Sequence, residues 1–393
     1  MTARAFGIRF STCYALMMMG SGVQLPFLPL WLAAKGLDLG HIATIVAAMM
    51  AVRVIGAPLF AWIADHSGNR ILVIRSCAIL ALLAYIALPF ANGFSQILPV
   101  ALVAGLFFAP VFPLTEGFSV DASATHGLDY GRIRLWASLS FLTGSLVSGA
   151  LLTTLPPGST AWLIAGAQGL SVIATMMLPP EPEIHADKHH ASAMEFGAAL
   201  KFLFASRFTV FFFAACLANA SHAMFYSFSS VHWTSMGFGT MTIGVLWACG
   251  VLAEVGLFAF SNSVIERIGS PVLLCIGLAG GIVRWSGMAY STSVVTMGLL
   301  QSLHFLSFAC AHLALMHFIR LNVPSRLRNT AQGLYAAVAG GLLLSSVTWL
   351  SGPLYKAYGG QAYLAMALIC AFGLGLAVTY AKLSPKAHAA AAA

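Results

Sequence analysis

The chain has 393 residues, of which 60% are hydrophobic and only 8% are charged, and its mean hydropathy is +0.89. A water-soluble domain carries about 25% charged residues, so this composition excludes an ordinary soluble protein and indicates a chain that crosses a lipid bilayer many times. The net charge is +8, and the placement of the basic residues attributes it to membrane topology rather than to a nucleic-acid partner.

Apolar stretches long enough to cross a bilayer recur along the whole sequence. They predict twelve transmembrane helices, near residues 7–33, 41–64, 71–90, 95–118, 132–153, 159–178, 208–231, 240–264, 271–291, 294–318, 330–350 and 362–381. The first stretch is longer than the apolar region of a signal peptide and lacks a small-residue cleavage site. We therefore expect it to remain in the protein as a spanning helix.

The longest hydrophilic stretch lies in the middle of the chain, at residues 179–207. Its proline, glutamate, lysine and histidine content is typical of a cytoplasmic linker, and we expect a short amphipathic surface helix near 193–204. The stretch separates six predicted helices from six. This arrangement predicts an all-α membrane protein of two six-helix bundles, residues 1–178 and 208–393, around a central site.

Three histidines of this linker, His185, His189 and His190, raise the question of a metal site. They lie in a solvated segment without a fixed geometry, and we expect them to be neutral polar residues of the linker rather than metal ligands. The sequence therefore predicts neither a metal nor a cofactor.

The distribution of lysine and arginine predicts the orientation in the membrane. If both termini are cytoplasmic, fourteen of the 19 basic residues fall in inner segments, and the outer loops hold only Lys35 and Lys356. This asymmetry follows the positive-inside rule. The remaining three basic residues, Arg53, Arg134 and Arg284, fall inside predicted helices.

Glu116 and Arg134 are opposite charges in two consecutive apolar helices. Each lies roughly nine positions from the turn between the helices, which at about 1.5 Å per residue places both some 12 Å into the bilayer. An ionised side chain at that depth costs at least about 2.5–3.5 kcal/mol unless it meets a partner or a water-filled cavity. The pair therefore predicts a polar cavity and allows a direct ion pair between the two helices.

The turn between the second and third helices, GAPLFAWIADHSGNRILVIR, resembles the loop signature of the major facilitator superfamily. The residues that carry the match are Gly56, Asp65, Gly68 and Arg70. Ala61 departs from the pattern, which often has glycine there. We expect Asp65 and Arg70 to pair with a neighbouring helix end and so to latch one conformation of the protein.

Further segments resemble one proton-coupled group of this superfamily, which contains lactose permease and the 3-phenylpropionate transporters. The matching segments are GVQLPFLPLWLAAKGL in helix one, PLTEGF and LDYGRIRLW in helices four and five, IGVLWACGVLAEVGLFAFSN in helix eight, IVRW in helix nine and LHFLSFACAHLALMHFI in helix ten. The resemblance covers nearly the whole chain and is closer to the phenylpropionate branch. It implies the major facilitator fold and proton-coupled transport.

The resemblance also implies roles for individual residues. Glu116 and Arg134 correspond to the acid and the arginine that bind substrate in lactose permease. Arg284 and His304 correspond to its helix-nine arginine and helix-ten histidine, which take part in coupling. Ser307 stands where that permease has its coupling glutamate, so the resemblance leaves the proton carrier of this chain unassigned.

Glu254, midway along helix eight, is the other plainly intramembrane carboxylate. We expect it to carry the proton, because a carboxyl group in a partly dehydrated cavity loads and releases a proton more readily near neutral pH. His304 and Arg284 are expected to assist it.

Other polar residues recur on helix faces. In helix seven His222 and Tyr226 lie four positions apart and so share a face, and in helix ten His304 and His312 lie two turns apart. Gln24 belongs to a polar stripe of helix one. Hydrogen bonding between helices is the alternative explanation for such residues. We expect Gln24, Tyr226 and His222 to contact substrate and His312 to contribute to proton coupling.

Arg53 lies in mid-helix without an acidic residue one turn away. With Arg134 and Arg284 it gives the membrane interior three fixed cations against the carboxylates of Glu116 and Glu254. One uncompensated positive charge suits a carboxylate substrate, which a guanidinium binds in bidentate fashion. We therefore expect Arg53 to bind substrate.

The sequence thus predicts a secondary transporter of the bacterial inner membrane, a proton symporter for a small organic carboxylate, with an aromatic one favoured. A sugar or nucleoside symporter is the first alternative, and export by proton antiport is the second. A membrane enzyme is disfavoured because no nucleophile–base or metal motif occurs, and a scaffold protein needs no charges at mid-membrane. We expect a monomer with cytoplasmic termini whose partners are a small molecule, protons and the bilayer.

Overall fold

The structure is a computed structural model that describes residues 3–128, 130–179, 208–259, 261–324 and 327–383. Every regular element within these residues is a helix. The surface helix expected near 193–204 and the three linker histidines, His185, His189 and His190, lie outside the described residues.

Seven α-helices occupy the described residues before position 180. They are α1 (Ala3–Ala34), α2 (Leu39–Ser67), α3 (Arg70–Ala87), α4 (Gly93–Phe108), α5 (Val111–His126), α6 (Tyr130–Leu151) and α7 (Ser159–Met176). A short 3₁₀ turn, Leu88–Phe90, follows α3 directly. These helices cover the first six predicted segments, and the fourth of them is divided between α4 and α5.

Ten α-helices occupy the described residues after position 207. They are α8 (Phe208–Ala220), α9 (Ala223–Ser235), α10 (Thr240–Ala259), α11 (Ser261–Ile268), α12 (Ser270–Tyr290), α13 (Val294–Ser302), α14 (Ala311–Asn322), α15 (Arg328–Tyr335), α16 (Leu344–Tyr358) and α17 (Tyr363–Leu383). A π-helical segment, Phe305–Cys310, lies between α13 and α14, and a second one, Ala336–Leu343, joins α15 to α16. A 3₁₀ turn, Gly359–Ala362, precedes α17.

Ten stretches of the described chain are long and apolar enough to cross a membrane. One of them, Thr330–Lys382, has 53 residues, which is the length of two spans because about 20 helical residues cross the hydrocarbon core. Helix α6 is not among the ten, although its 22 residues suffice in length, because its arginines and serines lower its hydropathy. With α6 and the double stretch included, the helices occupy all twelve predicted positions, and the predicted fold class is confirmed.

The described residues divide into two compact units. The first unit contains those within Met1–Ile184, Phe225–Val251 and Thr348–Ala357, and the second contains those within His185–Met224, Leu252–Val347 and Tyr358–Ala393. The first unit therefore joins α1–α7 to most of α9 and to parts of α10 and α16. The expected bundle boundaries at residues 178 and 208 stay a prediction.

Short polar residues and one glycine set the ends of α2 and the start of α3. Asp38 caps α2, because its side chain accepts a hydrogen bond from the His41 amide at 2.8 Å. Gly68 ends α2 with a φ of 64°, a left-handed conformation that glycine adopts without steric cost. Asn69 then caps α3 by accepting a hydrogen bond from the Leu72 amide at 2.9 Å. The α2–α3 turn is the one whose sequence carries the superfamily signature.

Two predicted segments contain breaks that hydropathy does not reveal. Segment 95–118 breaks at Ala109 and Pro110, because proline lacks the backbone N–H that would continue the helical ladder. Segment 208–231 breaks at Ser221 and His222. Ser221 Oγ and His222 Nδ1 both bond to the Ala218 carbonyl oxygen, at 2.7 and 3.0 Å, and such side-chain bonds compete with the ladder.

In the first unit α6 and α10 cross with their backbones in contact. A Cβ atom on Gly149 of α6 would lie 2.8 Å from the Thr240 carbonyl oxygen, and Thr240 Oγ1 donates to the Gly149 carbonyl at 2.9 Å. Likewise, a Cβ atom on Gly244 of α10 would lie 2.5 Å from the Ser145 carbonyl oxygen. Ser145 Oγ donates to the Gly244 carbonyl at 3.2 Å. Small residues four positions apart on both helices permit this close approach.

We predict that Gly244→Ala lowers the melting temperature of the purified protein, whereas Gly256→Ala on the same helix does not. A Cβ at Gly244 has to displace the Ser145 backbone, and overpacking of this kind costs typically about 1–3 kcal/mol. A Cβ at Gly256 meets nothing within 4 Å, so the helix-forming advantage of alanine, at most about 1 kcal/mol, acts alone. Equal melting temperatures for the two variants would contradict the tight crossing.

Candidate functional site

The opposite charges of α5 and α6 form an ion pair, as their equal depth allows. Arg134 Nε lies 3.2 Å from Glu116 Oε1, and the Arg134 guanidinium carbon lies 5.1 Å from the centre of the Phe112 ring. Gly127, with a φ of 64°, ends α5 and starts the turn that brings α6 back beside it. Arg134 and Glu116 keep 40% and 36% of their side-chain surface exposed. The pair therefore still offers donors and acceptors to a ligand.

A small cleft of the first unit gathers three of the predicted substrate residues, Gln24, Arg53 and Tyr226. The cleft volume of about 20 Å³ is room for one or two water molecules. Its other lining residues are apolar, namely Leu25, Leu28, Pro29, Val46, Met49 and Met50. Arg53 is exposed, and its guanidinium carbon lies 6.0 Å from the centre of the Phe108 ring. The cleft thus sets one cation and two polar groups among apolar walls.

Tyr85 is a residue of this cleft region that sequence reasoning missed. Its side chain is fully buried on α3, and its hydroxyl donates a hydrogen bond of 2.7 Å to Gln24 Oε1. A signal was present in the sequence, because a phenolic hydroxyl in an apolar helix needs a hydrogen-bond partner. Nothing in the sequence indicates which helix supplies that partner.

In the second unit Arg284 of α12 is fully buried. Its Nη1 donates to His304 Nδ1 at 2.9 Å and to Ser307 Oγ at 3.0 Å. Its Nη2 donates to Gln301 Oε1 at 2.8 Å, and its guanidinium carbon lies 4.3 Å from the centre of the Trp285 ring. A buried charge requires such compensation. Arg284 is therefore held rigidly by three polar side chains and one aromatic face.

The contact with Arg284 determines the tautomer of His304. A guanidinium has only N–H donors, so His304 Nδ1 accepts and the ring proton lies on Nε2. That nitrogen is 3.4 Å from Glu254 Oε2 on α10, and the side chains of His304 and Glu254 are only 10% and 19% exposed. Three of the four residues predicted to couple protons thus form one chain, Arg284–His304–Glu254, with the carboxylate at its end.

His222 contacts this chain. Its Nε2 lies 3.3 Å from Ser307 Oγ, and its ring centroid lies 5.4 Å from that of His304. The expectation that it contacts substrate rested on one continuous helix face shared with Tyr226, and the break at Ser221–His222 interrupts that helix. Its role in substrate binding stays a prediction.

His312 lies in a column of parallel rings on the tenth predicted segment. The Phe308 centroid is 5.1 Å from that of His304 with an angle of 9° between the rings, and 6.1 Å from that of His312 with an angle of 5°. His312 also lies 6.3 Å, centroid to centroid, from Tyr335. The column extends from His304 of the Arg284–His304–Glu254 chain along the helix, and a part of His312 in proton coupling stays a prediction.

The two residues of the expected latch lie on either side of the α2–α3 turn. Asp65 is exposed in the last turn of α2, and Arg70 is the first residue of α3. A Cβ atom on Gly117 of α5 would lie 3.8 Å from Arg70 Nη1, so the guanidinium reaches the side of α5. The latching role of both residues stays a prediction.

Twelve apolar spans with charged side chains buried among them are typical of a membrane transporter. A profile of the MFS_1 like family matches residues 8–365 of the chain. The match covers most of the sequence, and the chain belongs to this family of the major facilitator superfamily. The resemblance found in the sequence is thereby confirmed.

Relatives and solved structures agree with this membership. A protein of Escherichia coli strain K12 named probable 3-phenylpropionic acid transporter is 30% identical over 348 residues, which cover 88% of this chain and 91% of that protein. The raffinose permease of Escherichia coli is 22% identical over 421 residues, with coverage of 98% and 96%. The crystal structure of the nucleoside transporter NupG has a TM-score of 0.82 at 16% identity and covers 95% of this chain and 98% of that one. The protein is a multi-pass secondary transporter of small molecules and not an enzyme.

We predict that Arg134→Ala lowers ligand affinity at least about tenfold. Arg134→Lys should also bind ligand weakly, because a point charge does not reproduce the planar guanidinium fork. Since both partners are partly exposed, loss of the ion pair costs only about 1 kcal/mol of stability. The double variant Glu116→Gln with Arg134→Gln should recover the melting temperature without recovering transport. Melting temperature and uptake are measured on the same proteins. Near-normal uptake by Arg134→Ala would mean that the pair only joins α5 to α6.

Proposed function

We propose that this protein is a proton-coupled symporter of a small organic carboxylate, with an aromatic carboxylate as the favoured cargo. The observation that carries the proposal is the position of Arg53, a guanidinium in a cleft whose described lining includes no acidic side chain. An ionised group inside a membrane is costly unless it is compensated. A carboxylate cargo supplies the opposite charge, and it matches the bidentate geometry of a guanidinium.

The apolar walls of the cleft favour a cargo that has an apolar part as well as its carboxylate. Met49 and Met50 line it, and methionine adapts its shape to varied apolar ligands. The ring centroid of Trp247 lies 6.2 Å from that of Tyr226, and the ring centroid of Phe225 lies 4.5 Å from that of Trp247. The relative named as a 3-phenylpropionic acid transporter has, by that name, a cargo with a phenyl ring and a carboxylate. The present volume of about 20 Å³ is too small for such a molecule, so the cleft must widen to admit it.

Glu254 is the proposed proton carrier. His304 Nδ1 already faces an N–H of Arg284 at 2.9 Å, so a second proton on the imidazole would set two donors against each other. An incoming proton therefore goes to the Glu254 carboxylate, 3.4 Å from His304 Nε2. Protonation neutralises that carboxylate and weakens its attraction to His304. The Arg284–His304–Glu254 chain thus responds to a single proton.

Charge balance couples the proton to the cargo. With Glu116 and Arg134 paired, Arg53 and Arg284 leave the empty carrier one positive charge in excess of Glu254. A cargo anion with one proton leaves this charge unchanged, whereas either one alone changes it by one unit. Because a change of charge inside the membrane is costly, one proton is proposed to accompany each cargo anion. Transport is then electroneutral and driven by the pH gradient.

The positive-inside distribution supports cytoplasmic termini in a bacterial inner membrane. In that orientation the α2–α3 turn with Asp65 and Arg70 faces the cytoplasm, where the two residues are proposed to latch one conformation. A proton gradient directed inward makes the symporter an importer. One chain carries both the cargo cleft and the proton carrier, so the proposed working unit is a monomer.

A sugar or a nucleoside is the second candidate cargo. The Glu116–Arg134 pair is partly exposed and presents acceptor oxygens together with donors, which hydroxyl-rich ligands need. By their names, one relative is a raffinose permease and one structural neighbour is a nucleoside transporter.

We predict that Glu254→Gln abolishes accumulation driven by a pH gradient but retains exchange of labelled cargo across proteoliposomes. Glutamine keeps the size of the side chain and cannot ionise, so the cargo step persists without its proton. Glu266→Gln is the matched control, because Glu266 is an exposed carboxylate on α11. A Glu254→Gln protein that still concentrates cargo against its gradient would transfer the proposed role to Glu116 or His304.

The nature of the cargo is tested by uptake of 3-phenylpropionate, raffinose and a nucleoside into proteoliposomes. We expect only the carboxylate to accumulate, under an imposed pH gradient and not under a membrane potential alone. Arg53→Gln should lower the affinity for 3-phenylpropionate about 10–100-fold, because a hydrogen bond to a charged group contributes about 1.5–3 kcal/mol. Arg320→Gln, an exposed site on α14, is the control. Accumulation of raffinose or the nucleoside instead would favour the second candidate.

A further inference from the structure

The Gln24 side chain is held in one orientation at the cleft. Its Oε1 accepts the hydrogen bond of 2.7 Å from the Tyr85 hydroxyl, and the residue is only 6% exposed. An amide whose oxygen is engaged behind the wall presents its other end, the Nε2 group with two N–H donors, to the space in front. Gln24 therefore offers donors to the cleft that it lines.

The second side chain that offers hydrogen-bond donors to the cleft is that of Arg53. Arg53 carries only N–H donors, and the remaining lining apart from Tyr226 is apolar. A carboxylate accepts hydrogen bonds at both oxygens and donates none. A primary amide or an alcohol brings N–H or O–H groups that find no acceptor on Gln24 or Arg53, and an unmet donor in such a site is penalised.

We infer that Tyr85 is a positioning residue for cargo selection: it locks the Gln24 amide so that Gln24 and Arg53 form a donor-only seat for the carboxylate group. This inference rests on the proposed carboxylate transport. It adds a residue that does not line the cleft itself, since Tyr85 is fully buried on α3. It also gives the reason for discrimination, which is the absence of an acceptor at the seat and not the charge of Arg53 alone.

The opposite amide orientation shows what the tyrosine prevents. If Gln24 were rotated by half a turn about its last bond, Oε1 would face the cleft. An acceptor at that place repels a carboxylate and accepts a hydrogen bond from the N–H of an amide. A tyrosine hydroxyl can donate or accept; here it donates to Gln24 Oε1 at 2.7 Å, and this bond holds Oε1 away from the cleft. Phenylalanine at position 85 leaves both orientations open.

The test measures the dissociation constants of purified protein for 3-phenylpropionate and for its uncharged isostere 3-phenylpropionamide, and uses their ratio. For Tyr85→Phe we expect weaker binding of the carboxylate and equal or tighter binding of the amide, so that the preference falls about tenfold. Tyr380→Phe, which removes a hydroxyl from α17 instead, should leave the ratio unchanged. A purely structural tyrosine would weaken both ligands equally, and an unchanged ratio in Tyr85→Phe would overturn the inference.

Gln24→Glu provides an independent variant in case Tyr85→Phe does not fold. It keeps an acceptor for the Tyr85 hydroxyl and places a carboxylate beside Arg53, so we expect the preference to reverse in favour of the amide. A Gln24→Glu protein that still prefers 3-phenylpropionate overturns the inference. If the wild-type protein itself binds 3-phenylpropionate no better than the amide, the proposed function fails first, so the two failures are distinguished by the wild-type ratio.

Discussion

The free-energy cost of an ionised group in hydrocarbon is the constraint on which the interior of this protein depends. The structure meets it in three ways. Arg284 is fully buried and is compensated by side-chain hydrogen bonds and an aromatic face. Glu116 and Arg134 neutralise each other while both remain partly exposed. Arg53 keeps its exposure in a cleft whose described lining residues include no acidic one. Arg284 is thus a fixed structural charge, Glu116 and Arg134 are an ion pair that a ligand can reach, and Arg53 is a charge that is available to cargo.

The sequence predicted the spans because they depend on local properties. A run of about 20 apolar residues has one stable solution in a bilayer, a helix, whatever its neighbours are. The Glu116–Arg134 pairing followed from the same reasoning, since helical rise and a short turn bring two adjacent helices to equal depth. No knowledge of the packing between distant helices was required for either result.

Other features of the site depend on side-chain contacts that no local pattern contains. The bond from Tyr85 to Gln24 joins residues 61 positions apart, and only the tertiary arrangement brings these two side chains of α3 and α1 together. The face shared by His222 and Tyr226 was expected from regular helical spacing, which the polar break at Ser221 interrupts. Periodicity describes an uninterrupted helix, and the breaks lie where side chains bond to their own backbone.

The π-helical segment Phe305–Cys310 has a consequence for how this chain is compared with its relatives. A π-turn closes each hydrogen bond over five residues instead of four, so it takes in one residue more than an α-helix of the same height. Positions beyond its start are rotated about the helix axis relative to an uninterrupted α-helix. Ser307 lies inside this segment, and "three residues after His304" therefore names a different direction here than in a relative whose tenth helix is regular. Correspondence across the segment is measured by distance in space, as between Glu254 and His304, and not by counting residues.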